Sequence, residues 1–251
     1  MAIRTRKISD WLSTNGQAIT NASKATMEDA IRADIGQLND GVFIMFHRKN
    51  DNFPLAVRVG SWASYQSSGE VAEGVLLVEG GRHLVVAPTE GTDKKWSSKP
   101  VSSSDTSGSV QISGVTTTGD RMTAFNDFAG RANTTAIING STSSNVTNTE
   151  AYAAGFCNKY ARVNANGNGL TAGKWWLPSL AELAMIWANF DKINYALSKI
   201  SGATQLQQNW YWSSTQYSAN SAWYLDLRDG SMNIYWKFTQ GRVRPVSAFL
   251  Y

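Results

Sequence analysis

The sequence predicts an α+β fold, and three observations lead to that class. Runs rich in β-branched and aromatic residues, broken by turn residues, dominate residues 41–87. Two helical segments follow between residues 149 and 200, and after residue 209 the chain returns to short aromatic strands separated by polar turns. Strands, then helices, then strands again differ from the regular alternation that builds a parallel α/β sheet, so a segregated α+β domain is expected.

The composition is that of a globular protein with a heavy load of aromatic residues. The 251 residues are 42% hydrophobic and 17% charged, and they include 10 Trp, 9 Tyr and 9 Phe. This length allows one large domain with a small appendage. The net charge of +4 comes from scattered basic residues, so we expect no nucleic-acid partner. No run of about 20 apolar residues occurs, so we expect no membrane span.

Residues 1–38 lack the strand pattern of the rest and are predicted to be an attachment or assembly segment. Within Ser23–Leu38 the apolar residues that share helical spacing are Met27, Ile31, Ile35 and Leu38. A lone short helix is marginal in water, so it needs a partner, either its own domain or further copies in a homo-oligomer. The basic start of the chain is not followed by an apolar run, and no secretory signal is expected.

The strands predicted in the first half of the chain are Gly41–His47, Leu55–Val59, Gly74–Glu79 and His83–Ala87. Between the last two, Gly80-Gly81 is a strong signal for a two-residue hairpin loop. Residues 97–120 are rich in Ser, Thr and Gly and are expected to form a long surface loop.

Two helices are predicted in the second half. Thr149–Tyr160 places its apolar residues on one face, and Leu180–Ile200 follows Pro178-Ser179, which is a typical start signal. Near that start, Glu182 has two structural interpretations, as a capping residue or as the ion-pair partner of Arg244.

Residues that carry catalysis or bind metals are sparse. Cys157 is the one cysteine, which excludes an intramolecular disulfide and a Cys-rich zinc site, and burial in a helix is the expected role. His47 and His83 fall in predicted strands outside any metal or triad pattern. Residues 164–173 are glycine-rich but lack the spacing of a phosphate-binding loop. We therefore expect no cofactor, no metal site and no enzymatic activity.

An ordered set of motifs in the C-terminal half carries a family resemblance. These motifs are Lys174–Leu183 (KWWLPSLAEL), Tyr211–Thr215 (YWSST), Ala222–Leu225 (AWYL), Gly230 and Arg242–Phe249 (RVRPVSAF). Upstream, similar segments are Gly74–Glu90, Phe125–Ile138 and Ala153–Tyr160. The set resembles C-type-lectin-fold domains of the formylglycine-generating-enzyme-like branch, and most specifically the variable proteins of diversity-generating retroelements of gut bacteria and their phages. The resemblance implies a C-type lectin fold over residues 39–251, preceded by a short N-terminal helical segment.

The resemblance also implies a hypervariable region at about residues 209–245, in which scaffold and displayed residues alternate. The expected scaffold residues are Trp212, Ser213, Ser214, Trp223, Leu225, Gly230, Val243, Arg244 and Pro245. The expected ligand-binding, displayed residues are Tyr217, Ser218, Asn220, Ser221, Asp226, Arg228, Asp229, Ser231, Asn233, Ile234, Tyr235, Trp236, Phe238, Thr239 and Gly241.

Two arguments favour display over a plain aromatic core. In the resembling family, adenines of AAY codons are rewritten, which yields nearly all of the displayed residue types; Trp236 is the exception. Consecutive large apolar residues in 234–238 cannot all face one side of a strand, so some must be exposed. Rigid aromatic rings with adaptable polar neighbours are typical of a binding surface.

The resemblance implies recognition of a protein or glycan on a bacterial cell surface, by a protein located on a phage virion or a cell surface. The related oxidases use a pair of cysteines, and this chain has only Cys157. The calcium-binding triplets of sugar-binding C-type lectins are absent from the sequence as well. An invariant lectin-like adhesin or structural tip protein with a fixed partner is the alternative, and a template repeat beside a reverse-transcriptase gene distinguishes the two.

Overall fold

The strands predicted before residue 90 form one antiparallel sheet in the computed structural model, which describes residues 39–249. They are β1 (Gly41–His47), β2 (Pro54–Arg58), β3 (Gly74–Glu79) and β4 (Arg82–Val86). A short fifth strand, β12 (Val246–Ser247), completes the order β12-β4-β3-β1-β2. Gly80 and Gly81 have φ of 55° and 77°, a left-handed conformation that glycine adopts without strain, and the predicted hairpin is confirmed.

All of the described helices and strands belong to one compact unit that begins at Asp40. The predicted helix over Ser23–Leu38, with its apolar stripe, lies outside the described residues.

The helices are short, and most of them come after the first-sheet strands in the sequence and before the aromatic strands of the C-terminal region. They are α1 (Trp62–Ser67), α2 (Arg121–Phe125), α3 (Gly130–Asn139), α4 (Ala153–Lys159), α5 (Leu180–Ala188) and α6 (Phe190–Leu197). The predicted helix over Thr149–Tyr160 is thus shorter than expected, because Tyr152 is extended and serves as the N-cap residue.

The single helix predicted over Leu180–Ile200 is wrong, since the chain breaks at Asn189 into α5 and α6. The side-chain amide of Asn189 donates to the carbonyl of Met185 (3.1 Å) and to the carboxylate of Glu79 on β3 (2.9 Å). These bonds occupy a helical carbonyl near the end of α5, which is how a polar side chain ends a helix.

The start of α5 shows which interpretation of Glu182 is correct. Ser179 is the N-cap residue, and the Glu182 carboxylate accepts the Ser179 backbone N–H at 2.8 Å, which forms a capping box. Arg244 pairs instead with Glu90, at 3.1 Å.

A second five-stranded sheet contains the aromatic strands of the C-terminal region. Its strands are β5 (Gly91–Lys94), β8 (Trp210–Gln216), β9 (Ser221–Asp226), β10 (Met232–Trp236) and β11 (Gly241–Val243). Their order is β10-β9-β8-β11-β5, with β11 parallel to β8 and the other pairs antiparallel. The pair β6 (Arg162–Val163) and β7 (Gly169–Leu170) stands apart.

The second sheet separates two hydrophobic cores. One core joins the first sheet, α5 and α6 to one face of the second sheet, where Tyr211 and Leu225 are buried. The other core joins α3 and α4 to the opposite face, where Trp212 and Val243 are buried. Strand β8 therefore has a core on each side, whereas β10 lies at the sheet edge.

The predicted long loop over residues 97–120 contains no helix or named strand. It is mostly exposed, but Ile112 and Val115 insert into the second core. The side-chain oxygen of Gln216 accepts the backbone N–H of Ile112 at 3.2 Å, so β8 holds this loop in place.

Candidate functional site

The β9–β10 hairpin forms the outer edge of the second sheet, and its register places alternate residues on opposite faces. Ile234 lies opposite Trp223, and Tyr235 lies opposite Ala222. Trp223 and Leu225 are buried in the first core, and Ile234 packs against the same core. One face of the hairpin is therefore anchored, and the other face carries the side chains that follow the opposite parity.

The unanchored face carries three aromatic rings in mutual contact, here named the aromatic platform: Trp210, Tyr224 and Tyr235. The centroid of Trp210 lies 5.1 Å from that of Tyr224 and 5.8 Å from that of Tyr235. The two tyrosine rings lie 6.1 Å apart. Tyr235 is 44% exposed, and the other two rings are half-buried. The platform thus exposes Tyr235 to solvent, while Trp210 and Tyr224 also pack against the second core.

Polar residues form a rim at the hairpin loop end of the platform. Asp226 lies opposite Trp210 in the β8–β9 register, and its carboxylate pairs with Arg228 at 3.1 Å. Burial raises the pKa of Tyr224, with smaller contributions from the nearby charges of Asp226 and Asp229. Arg228, Asp229 and the neighbouring loop residue Ser231 are exposed.

Asn233 extends the rim along β10. It is exposed and lies opposite Tyr224, and strand alternation places it on the same face as Tyr235. Its side-chain oxygen accepts the Ile234 backbone N–H at 2.8 Å.

The remaining displayed residues lie at the opposite end of the hairpin. Tyr217 is exposed and contacts Trp223 edge-on, while the half-buried members of this group are Ser218, Asn220, Ser221, Trp236, Phe238 and Thr239. The rings of Trp236 and Phe238 stack with centroids 6.0 Å apart. A six-residue strand spans about 20 Å, so the two ends of β9 present separate groups of displayed residues rather than one contiguous cluster.

Two of the predicted displayed residues contact the packed interior of the domain. Gly241 is buried, and a Cβ atom there would lie 2.3 Å from the Trp210 ring, so the position has to stay small. Ile234 is half-buried and packs against the first core because it shares the parity of the anchored face. Gly241 therefore lies against the platform ring of Trp210, and Ile234 lies on the opposite, anchored face of the hairpin. The ligand-binding role of the other displayed residues stays a prediction.

Sequence reasoning missed two members of the platform, Trp210 and Tyr224. Both could have been found from strand alternation, since Trp210 precedes the buried Tyr211 and Tyr224 lies between the buried Trp223 and Leu225. Period-2 parity puts both on the face away from the first core.

Lys237 was also missed, and it is the most buried residue of the run 234–238. Its ammonium group donates to the side-chain oxygen of Gln216 (2.6 Å) and to the carbonyl of Val110 (3.4 Å), and it lies 4.4 Å from the Trp96 ring centroid. Burial lowers its pKa to about 7. No sequence pattern marks a lysine as buried, because the type is almost always exposed.

The scaffold residues expected to pack the fold do so. Those that are buried are Trp212, Ser213, Ser214, Trp223, Leu225, Val243, Arg244 and Pro245. Gly230 has φ of 76°, and a Cβ atom there would lie 2.5 Å from the Trp187 ring, so glycine is required for both backbone and space. Glu90 accepts hydrogen bonds from Tyr211 on β8, Arg242 on β11 and Arg244 just after β11, and thereby ties these strands to the segment before β5.

Titratable residues outside the hairpin are hydrogen-bonded, ion-paired or buried within the fold. Burial raises the pKa of Glu182 to about 7, but its carboxylate is occupied by Ser179 and by the Trp176 indole N–H (3.1 Å). His47 pairs with Glu73 at 2.9 Å. Cys157 is fully buried as expected, and burial raises its thiol pKa. Within residues 39–249 no group of three or more His, Cys, Asp or Glu is arranged to hold a metal ion.

No family model matches the chain, and no curated protein matches it. A solved fimbrial protein from Bacteroides ovatus ATCC 8483 shares 16% identity and a TM-score of 0.39, over 66% of this chain. The alignment spans 36% of the fimbrial protein's chain. None of the helices in the described part of the chain has the length and apolar character required to cross a membrane.

Proposed function

We propose that this protein binds a protein or glycan ligand on a bacterial cell surface through the β9–β10 hairpin, and that it is a binder rather than an enzyme. The observation that carries the proposal is the aromatic platform, in which Trp210, Tyr224 and Tyr235 contact one another and Tyr235 is exposed to solvent. Clustered exposed aromatic side chains are uncommon on surfaces that bind nothing. They offer large contact area at a small cost in conformational entropy.

The distribution of rigid and exposed residues supports a display role. The hairpin is held by a buried face, including Trp223 and Leu225, while Arg228, Asn233 and Tyr235 are exposed. A binding surface on a rigid scaffold loses little entropy when it binds. We propose that the scaffold is a C-type lectin fold of the retroelement variable-protein type, supported by the ordered motifs and by the burial of their scaffold residues.

The proposed location is a phage virion or a cell surface, as a receptor-binding or surface-display protein. The alternative is an invariant adhesin or tip protein with a fixed partner, which Gly241 favours because an added Cβ atom there would meet the Trp210 ring. DNA sequence around the gene separates the two: a template repeat and a reverse-transcriptase gene support diversification, and their absence supports the fixed partner.

Binding of the fluorescently labelled chain to a panel of bacterial cells tests the proposed function. Tyr235→Ala and Arg228→Ala should each weaken cell binding, with a loss of about tenfold or more at Tyr235 if the platform is a hot spot. The matched control is Tyr195→Ala on α6, because Tyr195 is an even more exposed tyrosine outside the platform. Equal losses in Tyr195→Ala and Tyr235→Ala, or no saturable binding to any cell, would contradict the proposal.

A further inference from the structure

Strand β10 is the last strand on one side of the second sheet, so alternate backbone groups along it point away from β9. Just before β10, the carbonyl of Ser231 points towards β9, where it accepts the N–H of Asp226 at 2.9 Å. In an antiparallel strand, every second residue bonds to the same neighbour, and the residues between them face the other side. The backbone groups of Met232, Ile234 and Trp236 therefore face the open edge.

The open edge of a strand can pair with another strand, including a copy of itself. A second copy of this chain could approach so that the two β10 strands run antiparallel about a two-fold axis at Ile234. Ile234 would then bond to Ile234 of the second copy, and Met232 would exchange backbone hydrogen bonds with Trp236. The edge thus has a register in which it is complementary to itself.

Two side chains engage backbone groups that this pairing would need. The side-chain oxygen of Asn233 accepts the Ile234 N–H at 2.8 Å. An N–H group has a single hydrogen, so this donor is no longer available to a second strand. The guanidinium of Arg121, the first residue of α2, donates to the Met232 carbonyl at 3.3 Å. Because that carbonyl points away from β9, Arg121 lies where the second strand would have to lie.

The turn after β10 engages a further group. The N–H of Thr239 donates to the Trp236 carbonyl at 2.9 Å. Each backbone hydrogen bond of the two-fold pairing would use the Ile234 N–H, the Met232 carbonyl or the Trp236 carbonyl. Every one of these bonds therefore has one partner that is already engaged within the chain. Arg121 would also bring its positive charge into the contact, and charged side chains at a sheet edge oppose strand addition.

We infer that Arg121 and Asn233 guard the open edge of β10 and prevent it from pairing with the β10 of a second copy of this chain. The inference goes beyond the proposed function, because it concerns the partner that the hairpin rejects and not the ligand that it binds. The blocked pairing would place a second copy alongside Tyr235, on the strand proposed to contact the ligand. The guard keeps the hairpins of neighbouring copies separate.

The double variant Arg121→Ala/Asn233→Ala of the full chain tests the guard. It frees the Met232 carbonyl and the Ile234 N–H, and both replaced side chains are exposed, so the fold should persist. Sedimentation velocity should show a concentration-dependent shift to roughly twice the wild-type mass. Amide exchange measured by NMR should slow about tenfold or more at Trp236, whose N–H enters the new pairing. The single variant Arg121→Ala should show a smaller shift of the same kind, and it replaces the double variant if that one does not fold.

Two control variants are matched to this test. Arg121→Lys/Asn233→Asp keeps a positive charge and a side-chain acceptor at the edge. Arg131→Ala/Asn139→Ala removes the same two residue types from exposed positions on α3. Both controls should sediment and exchange like the wild type.

Three results would overturn the inference. One is an unchanged mass for the double alanine variant, and another is a larger mass with unchanged exchange at Trp236, which would place the contact elsewhere in the chain. The third is a wild-type protein in which the Trp236 amide is already protected by pairing with a second copy, since the edge would then be unguarded.

Discussion

Strands β8 and β10 belong to the same sheet, but β8 buries polar side chains whereas β10 exposes an aromatic one. Every residue from Tyr211 to Gln216 in β8 is buried, although four of these six are Ser, Thr or Gln. In β10, Tyr235 is exposed and the larger Trp236 is only half-buried. Polarity therefore does not decide which of these residues is buried.

Position in the sheet explains the difference. Strand β8 pairs with strands on both sides and has a core on each face, so its polar side chains can be buried only if they are hydrogen-bonded. Thr215 illustrates this, since its hydroxyl donates to Asp127 (2.7 Å) and accepts the Leu180 backbone N–H (3.0 Å). Strand β10 has one neighbour and one covered face, which leaves Asn233 and Tyr235 on its other face exposed.

The largest expected effect compares a buried aromatic residue in β8 with an exposed one in β10. Trp212→Ala in β8 should lower the free energy of unfolding by about 3–5 kcal/mol, because it empties a fully buried site in the second core. Tyr235→Ala should cost under about 1.5 kcal/mol, since it removes only ring contacts at the surface. Chemical denaturation of both variants measures the contrast. Similar losses would mean that the platform is ordinary core.

Lys237 sharpens the comparison because it is a charged residue at the end of an edge strand that is nevertheless buried. Its pKa is lowered to about 7 from the ordinary 10.5, so the unfolded chain binds more protons than the folded chain between these pH values. The free energy of unfolding should therefore rise with pH across this window, by at most about 1.4 kcal/mol per pH unit. Below pH 7 the lysine is charged in both states, so the folded protein bears the full cost of burying that charge.

Lys237→Met should remove this pH dependence and raise stability near pH 7. The neighbouring acceptor is not left unsatisfied, because the Gln216 side-chain oxygen still accepts the Ile112 backbone N–H. Denaturation of both proteins at pH 7 and pH 9.5 is the measurement. Parallel changes in the two proteins would show that Lys237 does not titrate in this range.

Gly241→Ala tests whether a position inside the predicted variable region belongs to the scaffold. The added Cβ atom would meet the Trp210 ring at 2.3 Å, so we expect a loss of about 1–3 kcal/mol and a changed near-ultraviolet signal from the platform. Gly60→Ala is the matched control, because nothing lies within 4 Å of its Cβ position. If both variants are as stable as the wild type, Gly241 is free to vary.

The smallest expected effect concerns polar residues. Asn233→Ala on the exposed face of β10 should change stability by no more than about 0.5 kcal/mol. Thr215→Val on β8 should cost about 1–3 kcal/mol, because it leaves buried hydrogen-bonding groups of its neighbours without a partner. Thermal melts of the two variants compare them, and a larger loss for Asn233→Ala would reverse the comparison between the strands.

The strands of the first sheet were predictable because turn residues and β-branched runs mark them locally. The hairpin at Gly80-Gly81 and the capping box at Ser179 and Glu182 are local signals of the same kind. The break at Asn189 was not predictable, since it depends on Glu79, a residue far away in the sequence.

The candidate site was only partly predictable for a similar reason. Period-2 parity suffices to place Trp210, Tyr224 and Tyr235 on one face once the anchored face is known. The burial of Gly241 and Lys237 depends instead on contacts with Trp210, Trp96 and Gln216, which come together only in the folded sheet. Such contacts cannot be predicted from the sequence, because the residues that form them are far apart along the chain.

The parallel pairing of β8 with β11 has a consequence for how the chain folds. The chain leaves the middle of the second sheet after β8, forms the β9–β10 hairpin, and returns to the other side of β8 as β11, which also pairs with β5. Strand β12 then joins the first sheet beside β4. Both sheets thus stay incomplete during synthesis until residues 241–247 emerge, and the many sequence-distant pairings favour slow folding. In the sequence, the β9–β10 hairpin lies between β8 and β11, which are neighbours in the sheet. A substitution within the hairpin therefore need not delay the final pairing of β11 and β12.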